Sequence, residues 1–261
     1  IQNLKSKFQI GRFFASKSNM KKHYFIFLFF LVFVSAKAQT FSVTENCIKA
    51  YENIIALKID SGKYFISLEK ASNPSNKYVL LLENYIDFIK VCINEEETEF
   101  RQLEKRKNER LNAIRQGDPN SPYYLYLQAN IRLQWAVARL KFEEWTTSFF
   151  EINQAYKLLE ENSGKYPDFM PNKKDLGFLH AMVSSLPSGV EWVSSLKGNY
   201  KQGKQELQEV LQYAEKNDFL FEQETYILYA YVLLQFGKDG AGAWQIINTS
   251  NLNPQKSPIA T

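Results

Sequence analysis

Few residues of this chain have the type and spacing that catalysis requires. His180 is one of two histidines and lies in the apolar run Phe178–Met182. A histidine that acts as a general base must reach a nucleophile or a substrate proton. No Walker A, dinucleotide-binding or nucleophile-elbow motif occurs after residue 38. We therefore interpret His180 as a hydrogen-bonded core residue and predict that the protein is not an enzyme.

The two cysteines, Cys47 and Cys92, both lie in apolar stretches. Two cysteines rule out a four-cysteine zinc site, and only one histidine follows residue 38, so we predict neither a metal nor another cofactor. The cysteines could form a disulfide between the first and third predicted helices. Each could instead be a free thiol buried as a small apolar side chain, and we favour this alternative. Their spacing leaves both alternatives open.

Aromatic side chains are concentrated on two adjacent predicted helices. They could form a platform for a glycan or another ligand, but aromatic side chains also dominate the packing between helices, and we favour packing. The cluster comprises Tyr123, Tyr124, Tyr126, Trp135, Trp145, Phe149 and Phe150.

The stretch from Glu95 to Arg115 begins with acidic residues and continues with basic ones. It could present a basic face to an acidic partner. It could also be a solvated helix, stabilised by its dipole and by pairs such as Glu97–Arg101 at i, i+4. We favour the solvated helix. The basic residues are Arg101, Lys105, Arg106, Lys107, Arg110 and Arg115.

Residues 20–38 have the pattern of a secretory signal peptide. Met20 is followed by Lys21 and Lys22, by an apolar run over 24–34, and by small residues at Ala36 and Ala38. The run is too short to span a bilayer as a helix. We predict cleavage between Ala38 and Gln39. The mature domain is then 39–261, and residues 1–19 are an upstream translated or artefactual segment.

The predicted cleavage of the signal peptide changes the sign of the net charge. The whole chain carries a formal charge of +4, with 32 basic and 28 acidic residues. Seven of the basic residues and none of the acidic ones precede Gln39, so the remainder carries −3. The charge therefore gives no reason to expect nucleic acid as a partner. We expect a periplasmic or secreted protein with no transmembrane helix in the mature chain.

Apolar residues after Gln39 recur with helical spacing, and turn residues separate the runs. Gly62 is expected to divide the first two helices, and Asn73-Pro74 to end the second. Asn94 and Glu97 have capping-box spacing, and Ser121-Pro122 reads as an N-cap followed by proline at N1. Asp218 precedes a final long run, Phe219–Phe236.

The clearest repeat pattern lies near the C-terminus and resembles the tetratricopeptide repeat: large, large, small and large on a first helix, a turn glycine, then small, large, small and a closing proline. The residues are Tyr226, Tyr229, Ala230, Leu233, Gly237, Gly242, Ile246, Thr249 and Pro254. Weaker copies include Gly198, Tyr200, Gly203, Leu207 and Val210; Trp135, Ala136, Trp145, Ser148, Ile152 and Ala155, with Glu143 in place of the turn glycine; and Tyr51, Ile54, Gly62 and Tyr64.

A second, fainter resemblance covers Lys174–Leu207. This segment is similar to the tetratricopeptide family of the mitochondrial outer membrane that is linked to inclusion-body clearance. The residues that carry it are Leu176, Gly177, Leu186, Pro187, Trp192, Gly198 and Gly203. The signal peptide departs from that intracellular family and resembles an exported relative of the kind found in Bacteroidota. The family implies no catalytic residues.

The fold predicted from these patterns is all-α, a degenerate tetratricopeptide-like superhelix of αα-hairpins. Ser257-Pro258 reads as the start of another helix, so we expect the natural domain to continue beyond Thr261. The concave face should include five candidate binding residues. They are Asn130, Lys141, Glu224, Tyr231 and Gln235.

The function expected from this fold is a non-enzymatic, exported scaffold of the cell envelope. It would bind a peptide or protein partner in its concave groove and could associate peripherally with the outer membrane. The alternative is a ligand-binding accessory module for glycan or lipid handling at the outer membrane.

Overall fold

The computed structural model describes residues 40–185 and 195–250, and this part of the chain is helical with no β-strand. An all-α fold is therefore confirmed. The helices are α1 Glu45–Ile55, α2 Ile59–Ser72, α3 Val79–Asn94, α4 Glu97–Arg115, α5 Pro122–Lys141, α6 Trp145–Lys165, α7 Met170–Val183, α8 Tyr200–Ala214, α9 Glu222–Tyr231 and α10 Gly240–Thr249. A π-helical turn, Val232–Phe236, extends α9.

Successive helices pack as five hairpins: α1 with α2, α3 with α4, α5 with α6, α7 with α8, and α9 with α10. The first helices of the hairpins also stack on one another in order, and the second helix of each hairpin packs on the first helix of the next. This pattern of neighbours is that of a helical-hairpin repeat, in which each unit buries its second face against the next unit. The α3–α4 pair is the least closely packed of the five.

Small residues set the closest approaches within these hairpins. A Cβ atom added to Gly203 of α8 would lie 2.2 Å from the carbonyl oxygen of Gly177 in α7 and 2.4 Å from the amide nitrogen of Ala181. Gly62 lies inside α2, where a Cβ atom would be 2.6 Å from the side chain of Ile54. The prediction that Gly62 divides the first two helices is therefore wrong. Gly62 instead allows α1 and α2 to approach each other closely.

The array closes on itself rather than remaining an open arc. Glu224, in α9 of the last hairpin, accepts hydrogen bonds from Tyr51 of α1 (2.9 Å) and from Tyr85 of α3 (3.2 Å). The ring of Phe221 packs edge-on against Tyr51 and Tyr126, with centroids 5.2 and 6.1 Å apart. We call the face formed by the first helices of the hairpins (α1, α3, α5, α7 and α9) the inner face, and side chains from the first and last hairpins meet at its centre.

The helix boundaries confirm some capping predictions and correct others. Ser121 caps α5 by accepting from the amide of Tyr123, and α2 ends before Asn73. Asn94 is instead the last residue of α3, so it does not cap α4. α9 begins only at Glu222, four residues after Asp218. In both cases a turn between helices replaces part of the expected helix.

Among residues 40–185 and 195–250, each turn inside a hairpin contains one residue with positive φ. Only Gly198, with φ +118°, is a glycine; the others are Leu57, Glu95, Glu143 and Lys238, with φ between 52° and 58°. In the weaker repeat copy that begins at Trp135, Glu143 occupies the position of the turn glycine. The backbone at Glu143 adopts the left-handed conformation. Non-glycine residues are strained in this region because Cβ approaches the carbonyl oxygen.

Glu143→Gly should therefore stabilise the protein. Glu143 is exposed and, among the described residues, forms no ion pair. Relief of the left-handed strain exceeds the extra chain entropy of glycine, so we expect a gain of about 0.5–1 kcal/mol in the free energy of unfolding. Urea denaturation measures it. Glu143→Ala keeps the Cβ atom and should give no gain; equal effects of the two variants would contradict the explanation.

No helix within residues 40–185 and 195–250 is both long enough and apolar enough to cross a membrane.

Candidate functional site

Two of the five predicted binding residues, Asn130 and Glu224, belong to one buried polar network on the inner face. Lys174 of α7 is fully buried and donates hydrogen bonds to Glu224 (2.8 Å) and to its neighbour Asp175. Asn130 of α5 donates to Asp175 at 3.0 Å. The ammonium group of Lys174 also lies 5.3 Å from the centroid of the Phe221 ring. These residues are occupied by one another rather than presented to a ligand.

The network continues from the centre of the inner face into the second hairpin. Gln134 donates to Asn130 at 2.8 Å and accepts from Asn84 of α3 at 2.7 Å. Asn84 in turn accepts from Trp135 (2.9 Å) and from Arg110 of α4 (3.0 Å). All of these side chains are buried. Buried amide and charged groups are costly unless they are hydrogen bonded, and this network satisfies them mutually.

Burial shifts the ionisation of this network. It raises the pKa of Asp175 above the usual aspartate range, and Lys174 opposes that effect only in part. Burial by itself lowers the pKa of Lys174, but attraction to Asp175 and Glu224 outweighs it and holds that pKa above its ordinary value. Desolvation likewise raises the pKa values of Tyr51 and Tyr85 well above the usual range. Lys174 is therefore charged at neutral pH, and its single positive charge is shared between the carboxylates of Asp175 and Glu224.

The other three predicted binding residues lie apart from this network. Lys141, the last residue of α5, pairs with Glu95 and donates to the carbonyl oxygen of Cys92 at 3.2 Å. Tyr231 is about half exposed at the end of α9, where its ring packs near Phe178 and Phe236. Gln235 is exposed in the π-helical turn. The structure therefore does not bring the five residues into one groove.

His180 is buried, as expected, and its recorded partners give no catalytic arrangement. Nδ1 lies 2.6 Å from a carboxylate oxygen of Glu206 and 3.0 Å from Nε2 of Gln202, and Nε2 lies 3.7 Å from Glu160. Gly198 packs directly against its side chain. Within the described residues no Ser, Thr or Cys is hydrogen bonded to this imidazole, so no nucleophile is placed for it to activate.

Both cysteines are free thiols rather than a disulfide. Burial raises the pKa of Cys92 to about 11 and also raises that of Cys47. Thiols with raised pKa values are protonated at neutral pH and react slowly as nucleophiles. In residues 40–185 and 195–250 no group of three or more His, Cys, Asp or Glu side chains is arranged to hold a metal ion.

The aromatic cluster is divided between core and surface. Tyr126 and Trp135 are fully buried, whereas Trp145 and Phe150 of α6 are about two-thirds exposed. Tyr123, Tyr124 and Phe149 are intermediate. Most of these rings therefore contribute to packing between helices, in agreement with the preferred interpretation.

A solvent-open cleft of about 470 Å³ lies between α3 and α4 of the second hairpin, which are loosely packed, and Lys63 of α2 borders it. Its volume falls in the range of ordinary ligand pockets. Leu80, Ile86 and Ala113 provide its apolar surface. The charged lining residues are Lys63, Glu83, Asp87, Arg106, Glu109 and Arg110.

Two arginines meet one carboxylate in this cleft. Arg110, which is buried, donates to Asp87 at 2.6 Å and to Asn84 at 3.0 Å. Nη1 of Arg106 donates to both carboxylate oxygens of Asp87, at 3.1 and 3.4 Å. The Arg106 side chain nevertheless remains 54% exposed. The cluster of Asp87, Arg106 and Arg110 thus holds one carboxylate and two guanidinium groups, so it carries one excess positive charge.

The cleft residues were only partly visible in the sequence. Arg106 and Arg110 belong to the basic part of the Glu95–Arg115 stretch, and the expected Glu97–Arg101 pair is present at 3.3 Å. However, Lys107 and Arg110 are buried, the former paired with Glu151. The solvated-helix interpretation is therefore wrong for Lys107 and Arg110, whereas Arg101, Lys105, Arg106 and Arg115 are exposed. No sequence pattern identified Asp87 as a functional residue, because it lies in the apolar run of α3 and its partners come from α4.

Comparison of this chain with protein-family models, with curated proteins and with solved structures finds no match. The tetratricopeptide-like and mitochondrial resemblances therefore stay predictions, and Leu186, Pro187 and Trp192 lie outside the described residues, as do Ala38 and Gln39.

Proposed function

We propose that the protein is an exported, non-enzymatic binding scaffold whose ligand site is the cleft between α3 and α4 of the second hairpin. The observation that carries the proposal is the position of this cleft. The inner face, where the groove was expected, is occupied by Lys174, Glu224 and their partners. The cleft, in contrast, is open to solvent and combines apolar and charged walls on helices held by the hairpin packing.

The partner class that suits this cleft best is a segment of another protein. Helical-hairpin repeats offer rigid surfaces on which an extended or helical segment can lie. The three apolar lining residues can bury an apolar side chain of such a segment, and the surrounding charges can orient it.

A cleft-filling substitution tests the proposal. Peptides selected from a displayed random library on the mature chain would be measured against Ala113→Trp, which places a large side chain in the cleft, and against Asn112→Trp. Asn112 is the exposed neighbour of Ala113 on α4 and is not among the lining residues. We expect selected peptides to lose at least about tenfold in affinity with Ala113→Trp and to bind Asn112→Trp like the unmodified protein.

Two outcomes would count against the cleft as the site. One is a set of selected peptides that bind Ala113→Trp as tightly as the unmodified chain. The other is a selection that enriches no peptide for the unmodified chain. In both cases circular dichroism and melting temperatures must show that the proteins tested are folded.

A further inference from the structure

The charges around the cleft are not equally compensated. Glu83 pairs with Lys70, which lies outside the cleft, and Lys63 lies 3.3 Å from Asp60 on its own helix. Asp87 pairs with Arg110. Two lining residues remain without a full counter-charge: Arg106, which shares Asp87 with Arg110, and Glu109.

Arg106 has N–H groups that donate no hydrogen bond to any described residue. Within residues 40–185 and 195–250 its recorded hydrogen bonds all come from Nη1, and no hydrogen bond uses its Nε or Nη2. A guanidinium group offers five N–H donors and favours two-point contact with a carboxylate. The half-exposed side chain can therefore accept an anionic group from a ligand while still holding Asp87.

Glu109 is the negatively charged lining residue that has no cationic partner among the described residues. It is exposed and lines the cleft, yet across the described ranges no Lys, Arg or His lies within 4 Å of it. Arg106 and Glu109 are three residues apart on α4, which is about 4.5 Å along the helix axis. The cleft thus presents a positive and a negative group, separated by slightly less than one helical turn, beside an apolar surface.

We infer that the occupant of the cleft is a helical segment of a partner protein that carries one acidic and one basic side chain, three residues apart, with an apolar residue on the same face. Such a segment lying along α4 places its acidic group at Arg106 and its basic group at Glu109. Its apolar residue contacts Leu80, Ile86 and Ala113. This inference rests on the proposed binding function of the cleft and specifies the chemistry of its ligand.

The spacing of the charges favours a helix as the ligand. Two side chains at i and i+3 of one helix project on the same face about one turn apart, which matches the separation of Arg106 and Glu109. The charge order along the segment depends on whether it runs parallel or antiparallel to α4. The structure therefore specifies the pair of charges and their spacing, and the order is settled by experiment.

A charge-swap experiment tests the inference. Three alanine-based helical peptides with one leucine would carry Glu-x-x-Lys, Lys-x-x-Glu or Gln-x-x-Gln, and binding would be followed by fluorescence anisotropy at low and high salt. We expect one charged order to bind the unmodified chain about tenfold more tightly than the other, with the difference reduced at high salt. The double variant Arg106→Glu, Glu109→Arg should prefer the opposite order.

Folding and site controls accompany the swap. Arg106→Gln with Glu109→Gln removes both charges without placing a carboxylate beside Asp87, and it should abolish the preference for order. Arg115→Glu changes an exposed residue of α4 that is not among the cleft-lining residues and should leave the preference intact. Melting temperatures and circular dichroism establish that each variant folds.

The outcomes separate this inference from the proposed function. Equal binding of all three peptides, blocked by Ala113→Trp, would keep the cleft as a binding site and overturn the charge-pair inference. Binding of free lysine or glutamate with the same dependence on Arg106 and Glu109 would assign the cleft to a small zwitterion and likewise overturn it. Binding unaffected by Ala113→Trp would reject the cleft itself.

Discussion

We expect Lys174→Met to lower the free energy of unfolding by about 3–5 kcal/mol, the cost of removing one partner from a buried ion pair. The ammonium group is fully buried and is the only cation recorded within 4 Å of Asp175 or Glu224 in the described part of the chain. Methionine fits the space of the lysine stem but leaves two carboxylates without compensation. The loss is therefore electrostatic rather than a loss of packing.

Urea denaturation at pH 7 measures this loss. Lys173→Met is the matched control, because Lys173 is the neighbouring residue and its pair with Glu209 is partly exposed; its change should stay within about 1 kcal/mol. Adding Glu224→Gln to Lys174→Met removes one uncompensated charge and should restore part of the stability. Equal destabilisation by the two lysine variants would show that Lys174 is not the buried counter-charge described here.

The deficit of Lys174→Met should shrink as the pH falls from 7 to 5. Burial already raises the pKa of Asp175, and Lys174 is the strongest opposing influence. Removal of Lys174 therefore raises the pKa of Asp175 further above that of the unfolded chain, so the folded variant binds this proton more tightly than the unmodified folded protein does. Protonation then stabilises the folded state, and this stabilisation is lost as the pH rises through the raised pKa. A deficit that is constant between pH 5 and 7 would contradict the assignment.

Gly203→Ala is the second substitution with a large expected effect, and we expect it to lower the free energy of unfolding by about 2–3 kcal/mol. The added Cβ atom would lie 2.2 Å from a backbone oxygen and 2.4 Å from a backbone nitrogen of α7, so two helices must move apart. Overpacking of this kind costs about 1–3 kcal/mol or more. It exceeds the gain of up to about 1 kcal/mol that alanine brings to a helix interior.

Gly177→Ala tests the same contact from the other side. There the added Cβ atom would meet side-chain atoms of Leu207 and Glu206 at 3.1 and 3.2 Å and the oxygen of Gly203 at 3.2 Å. Small shifts relieve such contacts, so helix propensity and crowding should nearly cancel. Urea midpoints of the two variants provide the comparison. Similar midpoints would mean that α7 and α8 do not approach as closely as the structure places them.

Local patterns made the helices and several hairpin contacts predictable. Ser121-Pro122 predicted the start of α5, and the small residues Gly177 and Gly203 lie where α7 and α8 meet. The turn after α3 was not recognised, because the left-handed position is held by Glu95 rather than by glycine. Tertiary packing imposes that conformation, and the residue type gives no sign of it.

The candidate site could not be predicted, because its contacts join distant parts of the chain. Glu224 was placed on the inner face, but its partners lie 50 and 173 residues earlier. Asp87 acquires its role only when α4 brings Arg106 and Arg110 beside it. Helical periodicity identifies which face of a helix is apolar, but it does not say that five hairpins close into a ring of contacts.

The hydrogen bond between Tyr51 and Glu224 also bears on the timing of folding. In a linear array each hairpin can settle as soon as its neighbour has been synthesised, and the terminal units can fray independently. Here the first hairpin acquires its last contacts only after residue 224 has left the ribosome. Such distant contacts slow the final step and expose incomplete chains to aggregation and proteolysis until the last hairpin arrives.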